Sequence, residues 1–598
     1  VSSAASDVYK RQDVNNQPYE NGISIPNNLT RKKYIKKYWT TNIYTSYDFD
    51  INEEHNFTIL AGMQFERGDE SWVQGYKTDL ISEKVPSFPT ATGDALLSEA
   101  LAHNATESYF ARLNYNYKEK YLFEANVRYD GSYVFRNGKR WGTFPSFSLG
   151  WNLYNESFWE NIEPYVNTLK VRASWGQLGN QNISPYSDLE LIPISADKLN
   201  WIFNYGSTRP VGYTSGPNLV NRNLTWETAT TTNVGMDLSF LNNRLSATVD
   251  WFERRTIDMV GPSQAMPGVL GTSVPKENNS TLRTRGWEIS LNWKHALENG
   301  LSYNLGISLY DYKSVVTKYF NPTGTLSTWY EGAEVGDIWG YTVNDLFRSQ
   351  EDLDSYLSKV DMTHIAANWN TGDLKYEDIN HDGKVNNGTN TIGNHGDLSV
   401  IGNDQPHYQY TINGGVSYKG FDFSMLWRGV AKKDMYFYRG SNIYWGFMGG
   451  WWESCLTPEH LDYFRDQPGS KYSGLYEGDA NINTDAYWPR PYLNNTEEAK
   501  NKNHANTRYL QNAAYLRLQN VQLGYSFPRS ITSKMHLEKL RIYFSGENLL
   551  TFSKLPSGID PVAPVGFPTG GEFFGTAGSG RLTYGADRIY SIGLTVTY

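Results

Sequence analysis

The sequence predicts an all-β fold, a transmembrane antiparallel β-barrel of which this chain is a part, and three observations carry the prediction. Apolar and polar residues alternate along segment after segment. Aromatic side chains gather at the ends of the apolar stripes. Short and long connections alternate between the segments. The mean hydropathy of −0.57 and the lack of any long apolar run mean that apolar surface is spread as stripes along strands.

Residues 108–132, SYFARLNYNYKEKYLFEANVRYDGS, show the pattern most plainly. Successive strand residues point to opposite faces. Ala111, Leu113, Tyr115 and Tyr117 therefore share one face, opposite Arg112, Asn114, Asn116 and Lys118. Past the KEK turn, Phe123, Ala125, Val127 and Tyr129 repeat the apolar face. A soluble sandwich also alternates, but here the polar face carries Arg, Lys, Glu and Asn, as a wet lumen would. The runs also reach or exceed the roughly 9–11 residues that a tilted strand needs to cross hydrocarbon. Tyr117, Tyr121, Trp251, Trp293 and Tyr598 end the stripes, as in the aromatic girdles of outer-membrane barrels.

The pattern places about 15 strands, near 38–51, 55–67, 106–117, 120–132, 145–154, 166–179, 224–241, 243–256, 282–296, 301–316, 406–418, 420–434, 513–526, 538–552 and 587–598. Tight turns fall at INEEHN, KEK, LNN, LENG and YKGF. Between them lie long connections at 67–105, 132–145, 180–222, 255–281, 316–406, 434–513 and 553–586, with room for one or two further strands. Barrels of this class keep short turns on the periplasmic side and long loops outside. The first strand then descends, and odd parity points to further strands upstream. No 40–50-residue repeat of the propeller kind is present.

Composition bounds the function. Aromatics make up 15% of the chain, with 44 Tyr and 19 Trp, residues that favour sites with one apolar and one wet end. The net charge of −9 excludes a basic nucleic-acid-binding surface. The single cysteine, Cys455, permits neither an internal disulfide nor a thiol metal site. Residues 1–12 (VSSAASDVYKRQ) read as a non-native leader, without the n- and h-regions of a signal peptide; residues 13–598 are the barrel portion.

Several segments together resemble a known family. SYFARLNYNYKEKYLFEANVRYDGS, FPSFSLGWNL and LKVRASWGQLGNQNI are similar to the central signature of SusC/RagA-type TonB-dependent outer-membrane transporters. GDLKYEDINHDGKV, IGNDQPHYQYTINGGVSYKGFDFSMLWRGV, AAYLRLQNVQLGYSFP and LRIYFSGENLLTFSKL follow in family order. The resemblance implies the last 15 of about 22 strands, with the plug domain, TonB-contacting segment and first strands upstream. It also implies energised import of oligosaccharides, or less often oligopeptides, into a Gram-negative cell. The implied partners are a SusD-like surface lipoprotein and the TonB–ExbB–ExbD complex, besides outer-membrane lipid. Two other classes fit the alternation alone: a passive porin-like channel, and a secreted soluble glycan-binding protein.

Few constellations carry chemistry. Asp378, Asn380 and Asp382, with Gly383, stand at positions 1, 3, 5 and 6 of a calcium-loop pattern. Thr389 stands where the bidentate Glu belongs, and a polar turn stiffened by Asx hydrogen bonds has the same spacing. Trp445, Trp451 and Trp452 are candidate contacts for a sugar ring or a partner, or else loop packing. RKKYIKK (31–37) reads as a solvated strand flank or a contact to lipopolysaccharide phosphate. No nucleophile elbow, HExxH or phosphate loop occurs, so no catalytic centre is expected.

Overall fold

The computed structural model describes residues 7–15, 27–82, 84–136, 138–181, 183, 189–190, 194–195, 213–214, 219–264, 267, 274–437, 442–446, 456–469, 476–492, 495–562 and 586–598. All fifteen expected strands are present. They join one antiparallel sheet in chain order, and Asp7–Asn15, within which part of the expected leader falls, pairs with the strand that follows it. The chain divides into two compact units: residues 1–155, 172–233 and 254–281 form one, and 156–171, 234–253 and 282–598 the other.

In the first unit, Asn28–Ile51, His55–Thr78 and Ala95–Tyr117 run 24, 24 and 23 residues in continuous register. The expected connection at 67–105 is therefore mostly strand, and only 79–94 links its ends. Polar cross-strand pairs hold the ladder together beyond the apolar stripe. Glu70 accepts a hydrogen bond from Tyr34 Oη at 2.6 Å and pairs with Lys36 at 2.6 Å, while the Lys32 ammonium lies 3.8 Å from the Trp72 ring centroid. The RKKYIKK run sits within this ladder as a strand flank.

Two aromatic rows mark the apolar stripe of this unit. Tyr117, Tyr121 and Trp151 stack at the short-turn end, with ring centroids 6.2 Å apart in each pair. Tyr129 and Tyr109 stack on Trp141 at 4.7 and 6.1 Å at the other end. The nine residues from Tyr121 to Tyr129 span about 27 Å along the strand, or about 20 Å of height at the usual strand tilt, within the apolar band of an outer-membrane barrel. On the opposite face Arg112 donates to Asn126 at 2.6 Å, and Asn126 to Glu124 at 2.7 Å. The polar face is thus a hydrogen-bonded ladder.

In the second unit the strand His407–Tyr418 turns into Phe421–Lys432 through Lys419 and Gly420, both with positive φ (48° and 90°). A two-residue turn of this kind matches the right-handed twist of its strands, and glycine takes the second position without strain. Leu291, on the apolar stripe of Glu277–Ala296, is exposed. Leu291→Arg is expected to cost about 2–4 kcal/mol, as a charge does near the bilayer midplane, while Asn292→Arg on the polar face is tolerated. Refolding titrations in lipid vesicles check the contrast; equal costs would overturn the facing.

Among the described residues, the long connections hold small folded elements. Asp337–Tyr341 pairs with Leu398–Asn403, Val343–Leu346 with Leu374–Tyr376, and Asp434–Met435 with Gln511–Asn512. The helix Gln350–Leu357 is capped by Ser349, whose Oγ accepts from the Asp352 amide at 3.2 Å. A second helix spans Asn495–Lys502.

Candidate functional site

The long connections of the second unit build a core of their own. Tyr341, Phe347, Tyr376, Tyr436, Trp488 and Tyr509 are among its buried side chains. These residues come from 319–406 and 433–514, so chain segments far apart in sequence fold as one body. Apolar burial of this kind is what keeps a long connection in one conformation against its chain entropy.

Trp445, a candidate solute contact, lies at the centre of that core and is fully buried. Its indole N–H donates to the Phe437 carbonyl at 2.7 Å, and its ring meets Tyr444 and Tyr509 edge-on, each at 5.1 Å. Its place is in packing, because no face of the ring is left for a solute. Trp451, Trp452 and Cys455 lie outside the described residues. One aromatic ring beside this core that does reach the surface is Tyr487, 37% exposed. The Arg508 guanidinium is 5.8 Å from that ring's centroid, and Gln511 donates to the Tyr487 and Tyr444 hydroxyls at 3.0 and 2.7 Å. Arg348 and Asp485 pair at 2.6 Å beside it. An exposed ring edged by guanidinium, amide and carboxylate groups can stack on a sugar or a side chain and hydrogen-bond its rim. Its position edge-on against a stacked pair of buried aromatics, Trp488 and Tyr509, is a signal that only the fold reveals.

A buried charged seam ties the two long connections together. Asp373 and Lys500 have fully buried side chains and pair at 2.8 Å. Asp373 also accepts from Tyr492 Oη at 2.7 Å, Asn501 Nδ2 at 3.0 Å and the Asn370 amide at 2.7 Å. Lys500 donates to the Asn368 carbonyl at 2.9 Å. A buried ion pair survives only when its remaining lone pairs and protons are matched in this way. Burial, and then the Asp373 carboxylate, hold the Tyr492 phenol well above its ordinary range.

Glu498, on the same helix, is buried and accepts from the Tyr492 amide at 2.9 Å. Burial pushes its carboxyl up to about 8, against the pull of Lys502. Between its ordinary value of 4.5 and 8, the folded chain then holds a proton that the unfolded chain has released. Stability from this group is therefore present at low pH and lost as pH rises toward 8. Thermal unfolding of this unit is expected at higher temperature at pH 5.5 than at pH 8.5, and Glu498→Gln should flatten the difference; a slope unchanged in the variant would contradict the assignment.

Asp378, Asn380 and Asp382 come together as the spacing implies. Asp378 accepts from the amides of Asp382 at 3.2 Å and Gly383 at 2.8 Å, and Asp382 from that of Lys384 at 2.9 Å. Gly383 takes φ +82°, and the turn carries Asx hydrogen bonds. Asp397, which sequence reasoning missed, anchors the loop from within: fully buried, it accepts from the amides of Ile379 and Asn386, each at 2.8 Å. Thr389 binds Asn394 and Thr391 rather than turning to the carboxylates. Among the described residues no group of three or more His, Cys, Asp or Glu side chains is placed to hold a metal.

One large antiparallel sheet with structured connections is the architecture of this chain, and it matches a class of outer-membrane β-barrels. The family model described as "TonB dependent receptor-like, beta-barrel" matches residues 2–418, and the chain belongs to that family. It is of the SusC/RagA type: it is 26% identical over 559 residues to the TonB-dependent receptor SusC of Bacteroides thetaiotaomicron, covering 90% of this chain and 49% of SusC. It is also 24% identical over 549 residues to the TonB-dependent receptor P3 of Formosa agariphila, covering 88% of this chain and 49% of P3. The chain spans about half the length of these curated relatives. Among solved structures, the RagAB peptide transporter superposes with a TM-score of 0.73 at 20% identity, covering 99% of this chain and 59% of that one. The family is one of outer-membrane receptors of Gram-negative bacteria, not of enzymes. Membership of that family removes the soluble glycan-binding reading.

Proposed function

We propose that this chain is the barrel portion of an active importer that takes up oligosaccharides, or else oligopeptides, in a TonB-dependent manner with a SusD-like surface lipoprotein. The observation that carries the reading is membership of the TonB-dependent receptor family over residues 2–418. The similarity to SusC and to the RagAB peptide transporter supports the lipoprotein partner. Selectivity then comes from differential binding by the loops, with Tyr487, Arg508 and Gln511 as contact groups. A barrel this wide needs a movable obstruction to avoid an open pore, and energy from the TonB–ExbB–ExbD complex would displace it.

The test is growth on single defined oligosaccharides and oligopeptides of strains lacking either this gene or the TonB energy transducer. Loss of growth on the same solute in both strains supports active import. Growth without TonB on a solute whose uptake needs this gene would instead favour the passive channel. The class of that solute, sugar or peptide, settles the substrate.

Asp378, Asn380 and Asp382 are proposed to hold Ca²⁺ weakly, since three side-chain oxygens alternate on one turn while Thr389 brings no carboxylate. Calorimetric titration of the full-length protein with Ca²⁺ should give heat that Asp378→Asn abolishes; no heat in the unaltered protein removes the site.

A further inference from the structure

On the outward face of the second unit, just above the apolar stripe, a cavity of about 330 Å³ is lined by Trp251, Arg283, Arg285, Trp287, Asp311 and Lys313. Hydrogen bonds on the opposite face set the register: Thr284 meets Ser314 at 2.7 Å and Ser290 meets Ser308 at 3.0 Å. Arg285 and Lys313 therefore stand side by side, on the same face as Ile289 and Leu291 of one strand and Leu305 and Ile307 of the next. That face is the lipid-facing one. The strand Glu277–Ala296 descends from a long connection to the short turn at 297–301, so Trp287 is at the outer end of its stripe and Trp293 at the inner end. Arg285 sits two residues above Trp287, about 5 Å higher along the tilted strand. That is headgroup height in the outer leaflet.

Two of the three cations here are paired and still at least half-exposed. Arg285 engages Glu253 through Nε, and its side chain is 50% exposed. Lys313 pairs with Glu334 at 3.1 Å and is 63% exposed. Asp311 is bound to His407 Nδ1 at 2.8 Å and accepts from the Tyr408 amide at 3.3 Å. Arg283 makes no ion pair among the described residues. Three cations thus keep donors open over a pair of tryptophans, beside carboxylates that each have a partner. A guanidinium presents a fork suited to a phosphate group, while indole rings favour the membrane interface below it.

We propose that this cavity is a docking site for the phosphorylated headgroup of an outer-leaflet glycolipid, with Arg283, Arg285 and Lys313 on the phosphate and Trp251 and Trp287 against the first acyl carbons. Such a site fixes the height and rotation of the barrel wall in its bilayer. It is independent of what passes through the lumen.

The test is native mass spectrometry of the full-length, detergent-purified protein titrated with bis-phosphorylated lipid A, with its dephosphorylated form, and with lipid A in the presence of millimolar inorganic phosphate. The unaltered protein is expected to bind the phosphorylated lipid and not the dephosphorylated one. Arg283→Gln combined with Arg285→Gln should weaken binding about 30-fold, from the loss of two cations near a phosphate surface, and Lys294→Gln, at the other end of the same strand, should leave it unchanged. Equal binding by the double variant, or equal binding of the dephosphorylated lipid, overturns the site. Displacement of the lipid by inorganic phosphate makes it a free-anion site and overturns the lipid reading. Should the double variant fail to insert, Glu253→Gln decides: freeing Arg285 should tighten lipid binding several-fold, and unchanged or weaker binding contradicts the proposal.

Discussion

Lys500→Met is expected to destabilise the loop core by about 3–5 kcal/mol, the usual cost of removing one partner of a buried ion pair. The loss exceeds that of the Coulomb attraction alone, because Asp373 would be left fully buried and ionised with only neutral donors around it. Adding Asp373→Asn to Lys500→Met should recover part of the loss, since the orphaned charge disappears with it. Hydrogen exchange at 370–376 and 495–502 reads both effects. A cost below about 1 kcal/mol would mean that water reaches the pair, as it does for exposed ion pairs.

Trp445→Ala is the second large effect, at about 3–5 kcal/mol for a fully buried aromatic truncated in a packed core. The ring is enclosed by Tyr436, Tyr444, Trp488 and Tyr509, and its N–H satisfies the Phe437 carbonyl. Trp445→Phe keeps most of the volume and loses only that hydrogen bond, so it should cost much less. Urea unfolding followed by tryptophan fluorescence separates the two. If Trp445→Ala were neutral for stability but weakened solute uptake, the ring would be a contact after all.

The contrast between strands and loops explains what could be read from residues alone. A strand that faces lipid on one side and a wet interior on the other writes its period into the sequence. Leu113, Tyr115 and Tyr117 against Arg112, Asn114 and Asn116 therefore sufficed to place a strand. Tyr117 and Tyr121 announced a girdle for the same reason, and the structure stacks them with Trp151. Beyond the bilayer that selection ends. The ladder of Glu70, Tyr34 and Lys36 is polar on a polar background, so the upper halves of the first long strands looked like connection.

The loop core was hidden for a different reason. Its decisive contacts join residues far apart in the chain, such as Asp373 to Lys500 or Tyr376 to the Lys500 carbonyl, and no local pattern reports them. Trp445 and Tyr487 are both aromatic residues in a long connection; only the packing distinguishes the buried one from the exposed one. The Asp378–Gly383 turn, whose interactions are local, was legible as a turn, whereas its anchor Asp397 was not.

The central claim is that the folded connections lie outside the cell and the short turns lie in the periplasm. Cysteine labelling in intact cells tests it most directly, in a Cys455→Ser background. Asp485, whose side chain is 83% exposed, and Asn299, in the 297–301 turn, are replaced one at a time by cysteine and treated with a membrane-impermeant maleimide. The account predicts that the residue at 485 is labelled in intact cells and the residue at 299 only after the outer membrane is permeabilised. Labelling of position 299 in intact cells, with position 485 protected until permeabilisation, would contradict it.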